Sequence, residues 1–299
     1  MDFSPTGRQM VVVDAAKGTL ELYGPKGELL TRDPVSTGLG GSFLIREGLV
    51  LLANWETGWL TLRDVERHRD AWTHPCRGCS SLQVSADGNR LARVGVDGLE
   101  VWDAATNRVL FRETVRLSGL ETTVAISADG QQIAWTEGVV AHLRNLASGA
   151  EHQFSLEGTT GRIRFSPDSA QVAIVTSGSL SLWDAARGRA VWLVPHATPD
   201  LPNLLHWSVD QQALVVQYQG LGTELFDARS GERLARFSAV GNWASMLRPD
   251  LRAKVVVGPS SWDLRPVPQP VSDPPEESLA KTLRKSGLAL EGVELVAVP

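Results

Sequence analysis

A short motif returns along this chain at an almost fixed interval, and that return constrains the fold more than any other feature. Phe165-Ser166-Pro167-Asp168 is echoed by Phe3-Ser4-Pro5-Thr6-Gly7, Val84-Ser85-Ala86-Asp87-Gly88, Ile126-Ser127-Ala128-Asp129-Gly130, Trp207-Ser208-Val209-Asp210 and Leu247-Arg248-Pro249-Asp250. Ile45-Arg46-Glu47-Gly48 is a degraded copy. The second residues fall at 4, 46, 85, 127, 166, 208 and 248, with intervals of 42, 39, 42, 39, 42 and 40. Self-similarity at such a period marks a repeat architecture, in which each copy is one supersecondary unit that stacks on its neighbours.

A second anchor follows about 17 residues after the first in most copies. Val101-Trp102-Asp103, Leu182-Trp183-Asp184 and Ser261-Trp262-Asp263 are full matches; Leu225-Phe226-Asp227, Leu62-Arg63-Asp64 and Leu143-Arg144-Asn145 are weakened ones. Between the anchors lie an apolar run, a Gly-containing turn and an alternating segment, as in Leu91-Ala92-Arg93-Val94, Asp97-Gly98 and Leu99-Glu100-Val101-Trp102. Short Val- and Leu-rich segments separated by turn residues predict antiparallel all-β structure, with a fourth strand after each second anchor.

The period and the Trp-Asp anchors resemble the WD40 repeat. That resemblance covers residues 1–266 and implies a seven-bladed β-propeller, four strands to a blade. No Gly-His dipeptide of the family pattern occurs, although His74 and His196 precede the third and sixth copies and stand where they could substitute. Residues 267–299 change character. A Pro-rich linker leads to an expected short helix at about 275–286, where Ser272 or Asp273 caps, Pro274 and Pro275 fit the first turn and Glu276 and Glu277 suit the helix dipole. Val293–Val298 reads as a final strand, and either it or the segment just after Trp262 is expected to close the seventh blade. The tail is loosely similar to those of bacterial regulators that carry such propellers, which implies a bacterial setting; because the first copy begins almost at Met1, the chain also reads as the propeller portion of a larger regulator.

The chain of 299 residues carries 29 Lys+Arg against 34 Asp+Glu, a net charge of −5, which supplies no basic stripe for nucleic acid. No apolar run reaches ~18 residues, so no membrane-spanning helix is expected. The opening residues lack a secretory pattern, and a cytoplasmic location is the expectation.

His74, Cys76 and Cys79 form the one cluster that suggests a metal, but a closed zinc site needs four ligands and the second pair is missing. No metal or other cofactor is expected. Gly38-Leu39-Gly40-Gly41 and Gly220-Leu221-Gly222 open no helix and read as turns rather than phosphate cradles. Arg162 and Arg164 read as a solvated strand pair. With no nucleophile elbow and no metal spacing, an enzyme is not the primary reading.

Of ten tryptophans, Trp102, Trp183 and Trp262 belong to the repeat and should be core. Trp55, Trp135 and Trp243 fall in or beside connections, and with Arg77, Arg116 and Tyr218 they are the candidates for a partner-binding rim. Aromatics and Arg on a rim are what protein interfaces concentrate. The expected function is therefore non-catalytic recognition of a protein or peptide; the alternative is an enzyme or a small-ligand or metal sensor using the central channel.

Overall fold

The computed structural model describes residues 2–3, 8–14, 16–36, 39–54, 56–79, 81–115, 122–195, 202–208, 210–218, 222–237, 244–247, 253–257, 262–266, 288–291 and 294–297. Two compact units divide the chain, Met1–Asn242 and Trp243–Pro299.

The first unit is all-β among its described residues. It holds six four-stranded antiparallel sheets, each a simple meander, at 2–34, 39–75, 81–113, 124–155, 160–195 and 202–237. They are numbered one to six below. The 39- and 42-residue intervals of the sequence are the lengths of these meanders with their connections.

Alternation explains how the sheets pack. In the second strand of sheet two, Leu49–Asn54, Val50 and Leu52 join the apolar layer shared with sheet one, whereas Leu51 and Ala53 join the layer shared with sheet three. In Gln171–Thr176 of sheet five, Val172 and Ile174 face sheet four, and Ala173 and Val175 face sheet six. Side chains at successive strand positions point to opposite faces, so a strand covered on both faces reads as a nearly unbroken apolar run. Five such layers, one per pair of consecutive sheets, form the core. Each fully buried Leu, Ile or Val in them contributes about 1.5–3 kcal/mol relative to exposure.

First strands of consecutive sheets also abut, as Val124–Ile126 does with Thr160–Phe165 and the latter with Pro202–Trp207. The last of these contacts is tight: a Cβ on Gly161 would sit 2.1 Å from the Pro202 ring. Only glycine lets the two strands come this close.

Both repeat anchors prove to be turn chemistry. In the first, the Ser127 hydroxyl donates to Asp129 Oδ1 at 2.6 Å and accepts from the Gln132 backbone N–H at 2.8 Å. Ser85, Ser166 and Ser208 do the same with Asp87, Asp168 and Asp210. Three residues after each serine the backbone is left-handed, at Gly88, Gly130, Ser169 and Gln211. In the second, Asp103, Asn145, Asp184 and Asp227 each accept two backbone N–H bonds from the following turn. These bonds hold the carboxylates down: Ser230 N–H lowers Asp227, and the Ser166 hydroxyl lowers Asp168. Local side-chain-to-backbone bonding of this kind is why Ser and Asp recur at turns.

The second unit contains a three-stranded sheet, Ala244–Leu247, Ala253–Val257 and Trp262–Pro266, and a two-stranded hairpin, Leu288–Glu291 and Glu294–Ala297. The expected terminal strand is thus present as Glu294–Ala297, but it pairs with Leu288–Glu291 and not with the sheet at 244–266. Trp262–Pro266 is itself the third strand of that sheet. The expected helix at about 275–286 lies outside the described residues.

Candidate functional site

The rim candidates separate sharply. Trp135 is 2% exposed and lies in the layer between sheets three and four, its ring stacked on His142 with centroids 4.7 Å apart. Tyr218 is also buried, in the layer between sheets five and six, and burial pushes its hydroxyl well above the usual phenol range. Neither offers surface to a partner. Both occupy inward positions of second strands, Gln132–Glu137 and Ala213–Tyr218, where an aromatic fills the core. Trp55, Arg116 and Trp243 lie outside the described residues. Arg77 is exposed, in the connection between sheets two and three.

Near Arg77 the structure exposes an aromatic that the repeat pattern does not single out. Trp59 opens the third strand of sheet two, Trp59–Asp64, and is 48% exposed. At the corresponding place in sheets one, three, four, five and six stand Thr19, Gly98, Val140, Ser179 and Gly222. The fold therefore does not require a large side chain there. Trp59 lines a groove of about 490 Å³ with Pro34, Ser36, Leu39, Asn54 and Thr61. The preceding residue, Gly58, is left-handed and lies against Arg77, and its carbonyl accepts the Cys76 N–H at 2.6 Å. This bond holds the Arg77 connection against the Trp59 turn. Asn54 shapes that turn, its Oδ1 accepting the Thr57 N–H at 2.9 Å. In the groove wall Arg63 is spoken for, bonded to Asp33 at 2.8 Å and Asp70 at 3.0 Å.

The three residues of the metal cluster have other duties. Cys76 and Cys79 form a disulfide with Cα atoms 5.5 Å apart, so neither offers a thiolate. His74 packs edge-on against Trp102 at 4.6 Å, and burial, reinforced by Arg93, holds its ring below the ordinary histidine range. No group of three His, Cys, Asp or Glu among the described residues could hold a metal ion.

Behind the disulfide lies a buried ion network in sheet three. Arg93, 2% exposed, donates Nε and Nη2 to Glu100 Oε2 at 3.0 and 2.6 Å, and Glu100 Oε1 accepts from Arg112 at 2.7 Å. The Arg93 guanidinium also lies over the Trp102 ring, 5.0 Å from its centroid, and contacts Cys79 Sγ at 3.5 Å.

A second cavity, of about 310 Å³, opens where the first strands of sheets three to six end, at Gln83, Ile126, Arg164 and His206. Arg164 lies here and not on a solvated strand face. Its guanidinium donates to the backbone carbonyl of its neighbour Ile163, at 3.0 Å. Burial, and then Arg162, push its guanidinium down to about 10. His206 is water-accessible through the cavity yet ringed by protein; that surrounding, and then the Arg164 charge, push it down to about 4.

No protein-family model matches the chain, and no curated protein sequence matches it. Among the described residues no helix is long and apolar enough to cross a membrane.

Proposed function

We propose that the chain is a seven-bladed propeller similar to WD40 repeats and works as a non-catalytic recognition module for a protein or peptide. Six meanders packed face to face with abutting first strands support the architecture, and the motif at 248 assigns a seventh copy to the sheet at 244–266. The observation that carries the function is Trp59: a half-exposed indole at a position where five sister sheets carry small or medium side chains, on the edge of a groove of about 490 Å³ and next to the Arg77 connection. A large apolar side chain without a packing duty is costly in water and valuable in a complex, where a buried Trp anchor is worth at least ~2 kcal/mol.

The groove suits an extended segment that presents one apolar side chain to Trp59, with Thr61 on the groove wall beside its main chain. The test is a peptide-display selection on the full chain, with Trp59→Ala as the counter-target. Selected peptides are expected to lose at least tenfold in affinity on Trp59→Ala, whose melting temperature stays within a few degrees. Binders indifferent to Trp59→Ala and to Arg77→Ala would remove this groove as the recognition surface.

The proposed compartment, the cytoplasm, meets an opposing feature in the Cys76–Cys79 bond. A disulfide persists in oxidising compartments and is reduced by cytoplasmic thiol buffers. Alkylation of the two thiols in intact cells distinguishes the two settings.

A further inference from the structure

The cavity at Arg164 and His206 is the second candidate site, independent of the Trp59 groove. It is assembled from four consecutive sheets, each contributing the end of its first strand just before the Ser-x-Asp turn. Ile163 and Phe165 face the layer with sheet four, so Arg164 between them projects toward sheet six; Leu205 faces the layer with sheet five, so His206 projects away from it, and both side chains line the cavity. The remaining wall is mostly apolar, with Val84, Ile126, Phe165, Leu205 and Trp207, while Gln83 and Ser166 add polar groups.

No carboxylate lines this cavity among the described residues, and none pairs with Arg164 there. Arg164 is partly exposed at this cavity with no acid bonded to it among the described residues, a positive charge that an entering anion can meet. Arg164 and His206 are the titratable groups lining the cavity, and Arg162 is the further charge that acts on Arg164. His206 resists protonation, so near neutral pH the cavity wall carries one positive charge. One charge with a planar fork matches a carboxylate; a phosphate dianion would remain half uncompensated.

We infer that this cavity is a binding site for a small monocarboxylate with an apolar body, its carboxylate on the Arg164 guanidinium beside His206 and its body against Val84 and Trp207. Bound, the anion opposes the Arg164 charge felt by His206 and so favours protonation of that ring.

The probes are benzoate, benzamide as its neutral analogue, inorganic phosphate, and the tripeptide Ala-Ala-Phe with a free carboxyl terminus. Titration calorimetry on the full chain is expected to detect saturable benzoate binding, at least tenfold weaker for benzamide and for phosphate. Arg164→Met should weaken benzoate at least tenfold, and Trp59→Ala should leave it unchanged, which separates this site from the recognition groove. Should Arg164→Met fail to fold, the wild-type His206 ring signal followed by NMR serves instead: saturating benzoate is expected to move its titration upward by a unit or more. Equal binding of benzamide or phosphate, an unmoved His206 titration, or capture of the tripeptide without benzoate would each overturn the assignment.

Discussion

Two arginines, one buried and one partly exposed at a cavity, differ in what surrounds them. Arg93, in the second strand of sheet three, is enclosed by Glu100 and Trp102, and Glu100 in turn holds Arg112. Arg164, in the first strand of sheet five, looks across a cavity at His206 and is bonded to one neighbouring carbonyl. A buried cation that holds a carboxylate has a structural explanation already. A cation left facing space does not. The contrast separates a charge built into the core from a charge kept for something that arrives.

The largest effect is expected at Glu100. Glu100→Ala removes Arg93's buried acid and leaves only the exposed Asp97 carboxylate at 4.0 Å, and removing one partner of a buried pair costs about 3–5 kcal/mol. Urea unfolding should register a loss of that size. Replacing both, as Arg93→Met with Glu100→Leu, should recover most of it, since well-packed apolar residues substitute for buried ion pairs at little net cost. A Glu100→Ala loss below 1 kcal/mol would mean that water reaches Arg93, and the two arginines would no longer differ in kind.

Next in size is the disulfide beside Arg93. Closing a loop from Cys76 to Cys79 removes unfolded-state entropy worth about 2 kcal/mol in the chain-entropy picture. Reduction, or Cys76→Ser with Cys79→Ser, should lower stability by roughly that amount. Neither cysteine lines the cavity at Arg164, so reduction should leave benzoate affinity within twofold.

Smaller again is the loss of one repeat turn. Ser127→Ala deletes the bond to Asp129 and the one from the Gln132 N–H, with an expected cost of about 1–2 kcal/mol. Asp168, Asp184, Asp210 and Asp227, held below the usual carboxylate range by such bonds, stabilise the fold above their unfolded pKa of about 3.9. That stability is lost as pH falls through their lower folded values, and acid unfolding should steepen there.

These turns are also where the sequence is most legible. Ser-x-Asp at a 39–42-residue interval, with Trp-Asp behind it, specifies a local hydrogen-bond pattern, and a local pattern can be read without knowing what lies across the sheet. The four-stranded meanders follow from it. The rim did not follow, because Trp135 and Trp59 both sit at strand positions and only the neighbouring sheet decides which is covered. Trp135 meets Phe111 and His142, whereas Trp59 meets open groove. One signal was available: comparing the first residue of each third strand across copies isolates Trp59 as the outsize member. Arg164 had no such signal, since an Arg-Ile-Arg strand reads as a solvated face until four sheets are brought around it. The Cys76–Cys79 pair likewise read as a half-complete metal site, because spacing alone does not report whether two sulfurs face a cation or each other.

The smallest effect is expected at Arg164. Arg164→Met keeps the side chain's length and removes a charge that its surroundings disfavour, so stability should be unchanged or raised by up to about 1 kcal/mol, a shift of ~2–4 °C in melting temperature. His206 reports the same event through pH. Its ring titrates at about 4 in the fold and near 6.5 in an unfolded chain, so between these values the unfolded state binds more protons. Stability should therefore fall as pH drops from 6.5 toward 4, and His206→Gln should flatten that slope. Burial is the larger cause of the depression and Arg164 the smaller, so Arg164→Met should raise the His206 titration part of the way toward 6.5 without restoring it. A His206 signal that stays near 4 after the substitution would mean that Arg164 does not act on the ring, and the pair would cease to be one site.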